Sequence, residues 1–446
     1  SPNRYRISFH LTTIHFMAFT LVKHCAFLAC ACELFSICAK AAPVATVKLD
    51  KQYVPLKRGD RVVAHKTAYF GSIFVGVPHT QRFTVVFDTG SGHVLVPSGA
   101  CGSPTCLKHR RYNRELSASA VDIDHSGAEV AKNATERDQV SIAFGTGDVL
   151  GEFVKEIVCL SESHGSSPTW EQRKDCIKMR VITASEMTEE PFINFAFDGV
   201  VGLGLDALAV DPEFSYFGQM AKAGMLPENR FGFFLSMRDD VPSEIAIGGH
   251  DENRVSEDLR WAKVVQPELG HWQLHIKSVK IGGISLPLCD SGKCVGIVDS
   301  GTSLLGVPSQ GIRDVHWKLA RKIAGDPSDL DCRHVGGPDV VFDLGGFEVS
   351  LGPEDYSRPT AMRVESNSTG QVQVLCRASL LPVDMGADGG NPLTFILGEP
   401  ILRKYYTAFD WSKKEIGFAL ARQSPPGDIA IATRSSIKSQ ASHTVF

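Results

Sequence analysis

The sequence lacks a large excess of either charge: 46 Lys and Arg stand against 50 Asp and Glu in 446 residues, a formal net charge of -4. That balance gives no electrostatic reason to expect nucleic acid or an anionic membrane surface as a partner. Cys-x2-Cys doublets and clustered His partners are missing too, which argues against zinc and leaves no metal or other cofactor to assign. Helical periodicity is scarce. It is confined to Gly311–Ala324, with Ile312, Val315, Leu319 and Ile323 at helical spacing, and to a shorter stretch from Phe214 to Ala223. What is present is an ordinary globular composition, 43% hydrophobic and 22% charged, in a chain long enough for two lobes. Short runs rich in β-branched and aromatic residues, such as Arg82–Phe87, Val140–Phe144 and Arg230–Leu235, are bounded by Gly, Asp or Pro and predict a mainly β fold with a few short helices.

The first residues are of another kind. From Phe9 to Ala39 the chain is largely apolar, follows Arg4 and Arg6, and ends in Cys38-Ala39-Lys40-Ala41-Ala42, the pattern of a secretory signal peptide with its cleavage region. Lys23 and Glu33 interrupt the run, so two readings of residues 1–42 stand, a removed signal peptide and an uncut anchor that would bring the protein to a membrane. Four of the 12 cysteines, Cys25, Cys30, Cys32 and Cys38, fall in this segment. The others are even in number and suit an oxidising compartment. Cys101 and Cys106 flank a short Gly/Ser/Pro loop, Cys289 and Cys294 flank Asp-Ser-Gly-Lys, Cys159 and Cys176 bracket a Ser/Gly/Pro-rich insert, and Cys332 is left to join Cys376. Asn133-Ala-Thr and Asn367-Ser-Thr are glycosylation acceptors in agreement with a secretory route.

A weak internal duplication is the most informative feature. Val85-Val-Phe-Asp88-Thr-Gly-Ser91 returns as Gly296-Ile-Val-Asp299-Ser-Gly-Thr302, and downstream of each copy lies a second related segment, Gly199-Val-Val-Gly202 or Phe395-Ile-Leu-Gly398. Two similar lobes explain this, with a junction near His250 to Trp261. In each copy an apolar strand delivers an Asp into a turn, where the Gly two residues later is expected to take backbone angles closed to other residues. Either turn alone is commonplace. Two of them face to face would set two carboxylates around one water, and like charges so close share a proton. The ionised member can then take a proton from the attacking water while the protonated one stabilises the oxyanion.

These residues resemble the pepsin-like aspartic protease family, through Phe87-Asp88-Thr89-Gly90-Ser91, Phe144-Gly145-Thr146-Gly147, Phe197-Asp198-Gly199, Val298-Asp299-Ser300-Gly301-Thr302-Ser303 and Ile396-Leu397-Gly398. The likeness runs from about Tyr69 to Ala421, includes Tyr405–Asp410, and extends to three of the four cysteine pairs, with Cys159–Cys176 an addition. It implies a bilobal β fold with a central cleft, Asp88 and Asp299 at its floor, and a flap hairpin over residues 140–153. In the family the hydroxyls at the positions of Thr89 and Ser300 brace the two turns. Those at Ser91 and Thr302 hydrogen-bond the outer carboxylate oxygens, Gly90 and Gly301 complete the turns, and Phe144, Gly145, Thr146 and Gly147 belong to the substrate-binding flap. Val86, Phe197, Val200 and Ile396 are candidates to line apolar subsites. An extended polypeptide is the implied substrate, no cofactor is needed, and a monomer is expected.

Two departures from the family stand out. Its usual flap Tyr is Phe144, and its usual Trp, in Val94-Leu95-Val96-Pro97, is Leu95. The family pair hydrogen-bond each other, so losing both together leaves no orphan, and an apolar contact replaces a polar one. The Phe flap, the Ser in the second Asp-Ser-Gly and an enlarged flap-side loop resemble the apicomplexan branch that includes some plasmepsins and related Toxoplasma processing enzymes. That implies limited maturation of secretory proteins, in the lumen of an acidic endosome-like or secretory organelle or outside the cell. The expected organisation is a leader over 1–42, a prosegment remnant over 43–56, lobes over 57–250 and 251–421, and a polar tail over 422–446. The 43–56 stretch is too short for the family's inhibitory prosegment, so either activation differs or the chain is a piece. A pepsin-like scaffold that binds a partner without cleaving it is the alternative function, and an adhesion module a third that leaves the Asp turns without purpose. His271 and His275 are read as structural residues of a strand, and Lys108-His-Arg-Arg111 as a solvated loop or a feature favouring acidic substrate residues.

Overall fold

Alternating apolar residues in short runs are stable as strands only where one face can be buried against a second layer. The computed structural model describes residues 42–424 apart from 59–60, 132–133, 135, 146, 163–168, 324–329, 366–371 and 386–392. The leader with its four cysteines, the flap residue Thr146, the acceptors Asn133 and Asn367, and the tail from 425 lie outside the described residues. Within them a 14-stranded sheet dominates, joined by sheets of 5, 4 and 3 strands, so the mainly β expectation holds. The three runs singled out above form the strands Gln81–Asp88, Gln139–Phe144 and Arg230–Phe234.

Helices are few and short. Tyr216–Lys222 starts at an N-cap, Ser215, whose hydroxyl accepts from Gly218 N–H at 3.2 Å. Ile312–Leu319 buries Val315 and Leu319 but ends well before Ala324. Tertiary pairing decides its end, since Arg321 and Lys322 leave the helix to lie antiparallel to Cys376 and Leu375.

The duplication is carried into strand pairing. Val85–Asp88 runs parallel to Gly199–Gly202, and Cys294–Val298 runs parallel to Leu393–Leu397. Each downstream strand then pairs antiparallel with the strand that leaves the Asp turn, Val94–Leu95 in the first half and Leu305–Gly306 in the second. Those strands in turn lie parallel to Ile182–Ala184 and to Leu380–Val383. A single strand arrangement is thus built twice.

Aromatic side chains fill the core beneath it. Phe231 stacks on Phe409 with centroids 4.8 Å apart, and the fully buried Trp272 meets Phe409 edge-on at 5.2 Å. Truncating a buried aromatic of this kind costs about 3–5 kcal/mol. At the N-terminal end Ala45–Leu49 pairs with Ser243–Ile247, and Asp50–Arg58 folds back on Arg61–Phe70. The boundary expected near Leu56 therefore falls inside a strand. Four disulfides join Cys101 to Cys106, Cys159 to Cys176, Cys289 to Cys294 and Cys332 to Cys376, the same pairs the spacing suggested.

Candidate active site

Each Asp strand ends in a turn tied back to its own half. Asp88 C=O accepts from Leu203 N–H at 2.7 Å, and Asp299 N–H donates to Leu397 C=O at 3.2 Å. The two turns are also tied to each other. Thr89 Oγ1 donates to Val298 C=O at 2.9 Å and accepts from Ser300 N–H at 3.0 Å. Reciprocally, Ser300 Oγ donates to Phe87 C=O at 2.7 Å and accepts from Thr89 N–H at 3.0 Å. Each hydroxyl therefore grips the residue preceding the opposite Asp. Thr89 is fully buried, where unsatisfied partners are costly, so these four bonds fix the separation of the turns.

The glycines owe their place to this closeness and not to backbone strain. Neither Gly90 nor Gly301 has a positive φ, contrary to the expectation from the turn pattern. A Cβ built on Gly90 would lie 2.8 Å from Asp299 Oδ1, and one on Gly301 would collide with Asp88 Oδ1. Each carboxyl group thus rests over the other turn's glycine, which brings Asp88, Thr89, Gly90, Asp299, Ser300 and Gly301 into one cluster.

The two carboxyls differ in their partners. Asp299 accepts from Gly301 N–H at 2.8 Å and from Thr302 Oγ1 at 2.5 Å. Asp88 accepts from Gly90 N–H at 2.9 Å. Ser91 Oγ stands near enough to favour the ionised form of Asp88 but, against expectation, makes no well-formed hydrogen bond. Asp88 keeps some exposed surface, yet protein packed around its carboxyl, and then the charge of Asp299, push its pKa from 3.8 up to about 7.

At the residues expected to form the flap stands a hairpin of Gln139–Phe144 and Gly147–Cys159, in which Phe144 pairs with Gly147. Gly145 at its tip has φ +61°, a value that disfavours other residues, and open space around its missing Cβ. Phe144 meets Phe192 edge-on at 6.2 Å and lines a small pocket together with Leu95, Val149, Phe197 and Val200. Phe144 and Leu95, the two departures from the family, both line this pocket. Val86 and Ile396 are half-buried strand residues and do not line this pocket.

Several nearby groups escaped the sequence reading. Asp198, in the Phe197-Asp198-Gly199 segment, accepts from Thr84 N–H, Thr84 Oγ1 and Arg110 N–H, each at 2.9 Å, with His109 Nδ1 at 3.6 Å. Burial raises its pKa, but these partners outweigh burial and hold it below the usual value. The basic stretch is spent on backbone carbonyls: Lys108 on Ile193, His109 on Phe192, Arg110 on Arg82, and Arg111 on Gly99 and Cys101. Tyr69 OH donates to the buried Glu399 at 2.9 Å, joining residues far apart in sequence. Along Gln273–Ile276, His275 is exposed while Trp272, Leu274 and Ile276 are buried, as a strand requires. His271, one residue before Trp272, stands near enough to feel the charge of Asp88. Its pKa is lowered by burial and held up by the charge of Asp88, and its Nδ1 has no partner. Among the described residues no group of His, Cys, Asp and Glu could hold a metal, and no helix is long and apolar enough to cross a membrane.

A family model described as eukaryotic aspartyl protease matches residues 68–421. Cathepsin D of Bos taurus is 31% identical over 365 residues, covering 79% of this chain and 84% of that protein. Embryonic pepsinogen of Gallus gallus is 30% identical over 355 residues, covering 79% and 80%, and pepsin A of Sus scrofa is 29% identical over 359 residues, covering 79% and 81%. The paired turns, the flap and four disulfides that suit a secretory or extracellular route accord with these likenesses, and the chain belongs to the eukaryotic aspartyl protease family of endopeptidases.

Proposed function

We propose that Asp88 and Asp299 hold one water between them and use it to hydrolyse a peptide bond of an extended polypeptide. The observation that carries this reading is the reciprocal bracing of the two turns, which keeps both carboxyls over one spot. Two N–H or O–H donors stabilise negative charge on Asp299, whereas Asp88 has one good donor and a raised pKa. Asp299 is thus the base that takes a proton from the attacking water. Asp88 is the acid that gives its proton toward the carbonyl oxygen as the tetrahedral intermediate forms. Such proton sharing is the known behaviour of paired carboxylates in aspartic proteases.

Lobes over 57–250 and 251–421 would place the substrate strand between the Asp turns and the flap, where the backbone around Gly145 meets the substrate main chain. Phe197 and Val200, which share the pocket with Phe144, would take an apolar side chain beside the scissile bond. The task that fits is limited maturation of secretory-pathway proteins, by a monomer, in an acidic lumen or outside the cell. The test is cleavage of an apolar-centred peptide library at acidic pH by the mature protein. Wild type should cut, and Asp88→Asn and Asp299→Asn should each fall by at least 10³-fold, on the order of 4 kcal/mol of transition-state stabilisation. Turnover that survives either change would overturn the dyad as the source of cleavage, and a wild type that binds peptides without cutting them would return the protein to a binding scaffold.

A further inference from the structure

Three basic side chains from separate segments, His316, Arg358 and Arg377, lie within electrostatic reach of one another, with no acidic partner among the described residues. Ser357 bridges Ala378, and Arg358 N–H donates to Arg377 C=O at 2.9 Å, so two arginines stand opposite each other on adjacent chains. Their Nη1 atoms approach the same Met362 sulfur, at 3.8 and 4.0 Å. His316, on the helix Ile312–Leu319, is close enough to feel both charges. Like charges placed opposite each other on paired chains repel. Yet among the described residues neither arginine has an ion pair. The acid on this helix, Asp314, is engaged by Lys318 at 3.6 Å. Nor are all the nitrogens used, since Arg358 Nε and His316 Nδ1 are buried with no hydrogen-bond partner among the described residues. Arg358 is held below its usual pKa by burial and by Arg377, with no acid among the described residues to offset them.

Two guanidinium groups and an imidazole with unused nitrogens match an anion, and donors converging from three segments suit a tetrahedral oxyanion, whose oxygens point in more directions than those of a planar carboxylate. We propose that His316, Arg358 and Arg377 form a binding site for a tetrahedral oxyanion, phosphate or sulfate, free or borne by a larger molecule. Arginine suits this because its fork engages two oxygens at once. The test of this site does not depend on cleavage by the dyad.

The experiment is thermal unfolding of the full chain at pH 6 with added inorganic phosphate, against sodium chloride at matched ionic strength. At a tenfold excess over its dissociation constant, phosphate should raise the wild-type Tm by roughly 2 °C. Arg358→Gln and Arg377→Gln should each abolish that rise while leaving Tm without phosphate unchanged or higher, because a like-charge pair is gone. O-phosphoserine giving the same rise assigns the site to a phosphoryl group on a larger molecule, and a rise with phosphate alone assigns it to the free ion. Broadening of the phosphorus-31 line of phosphate by wild type, reversed by sulfate, needs no variant. No rise in the wild type, an equal rise in both variants, or no broadening overturns the site.

Discussion

Replacing Asp88 by Asn separates the cost of the buried carboxyl from its chemistry. The amide oxygen can still accept from Gly90 N–H, and the amide N–H can donate to Asp299, so the geometry survives. Asp88 rises from 3.8 to about 7 on folding, so its stabilising contribution is complete below pH 3.8 and is lost as pH climbs through about 7. At about 1.4 kcal/mol per pKa unit, the full loss is about 4 kcal/mol. Asn does not titrate. Asp88→Asn should therefore match wild type near pH 3 and exceed it by about 4 kcal/mol at pH 8, with close to half the gap already open between pH 5 and 6. Denaturant midpoints measured across pH 3 to 8 read this directly. A constant offset between the two proteins, or an advantage for the variant that shrinks with rising pH, would refute the assignment of the raised pKa to this carboxyl. The same titration predicts that wild-type cleavage falls as pH rises through about 7.

Thr89→Val keeps the shape of the turn but strips Val298 C=O of its donor and Ser300 N–H of its acceptor, so stability should drop by about 2–4 kcal/mol with a loss of kcat, read by urea unfolding and steady-state kinetics. Phe144→Tyr sends a hydroxyl toward a pocket lined by Leu95, Phe197 and Val200, so kcat/KM for apolar-centred peptides should fall several-fold, and a gain would reveal an acceptor there.

Much of this architecture could be read from residues because it is written twice. Val85–Ser91 and Gly296–Thr302 announce themselves through repetition, and the cysteines of three pairs are close enough in sequence to find each other. What could not be read depends on contacts made across the chain. Gly90 looks like any turn glycine until the Asp299 carboxyl is seen above it. Tyr69 and Glu399 carry no local sign of pairing, although Glu399 directly follows the Gly398 of the second downstream motif. His271 lies just ahead of Gln273–Ile297 pairing, which brings it level with Asp299, a register that local alternation cannot supply. Helical spacing over Gly311–Ala324 likewise gave no hint that Arg321 would be drawn into a sheet.

The Cys159–Cys176 bridge lies at the far end of the hairpin whose partner strand forms the flap. Any nick between these two cysteines would yield fragments that remain one covalent particle, with the strands on either side still laddered from Val149 to Cys159. Only a reducing gel would betray the wound.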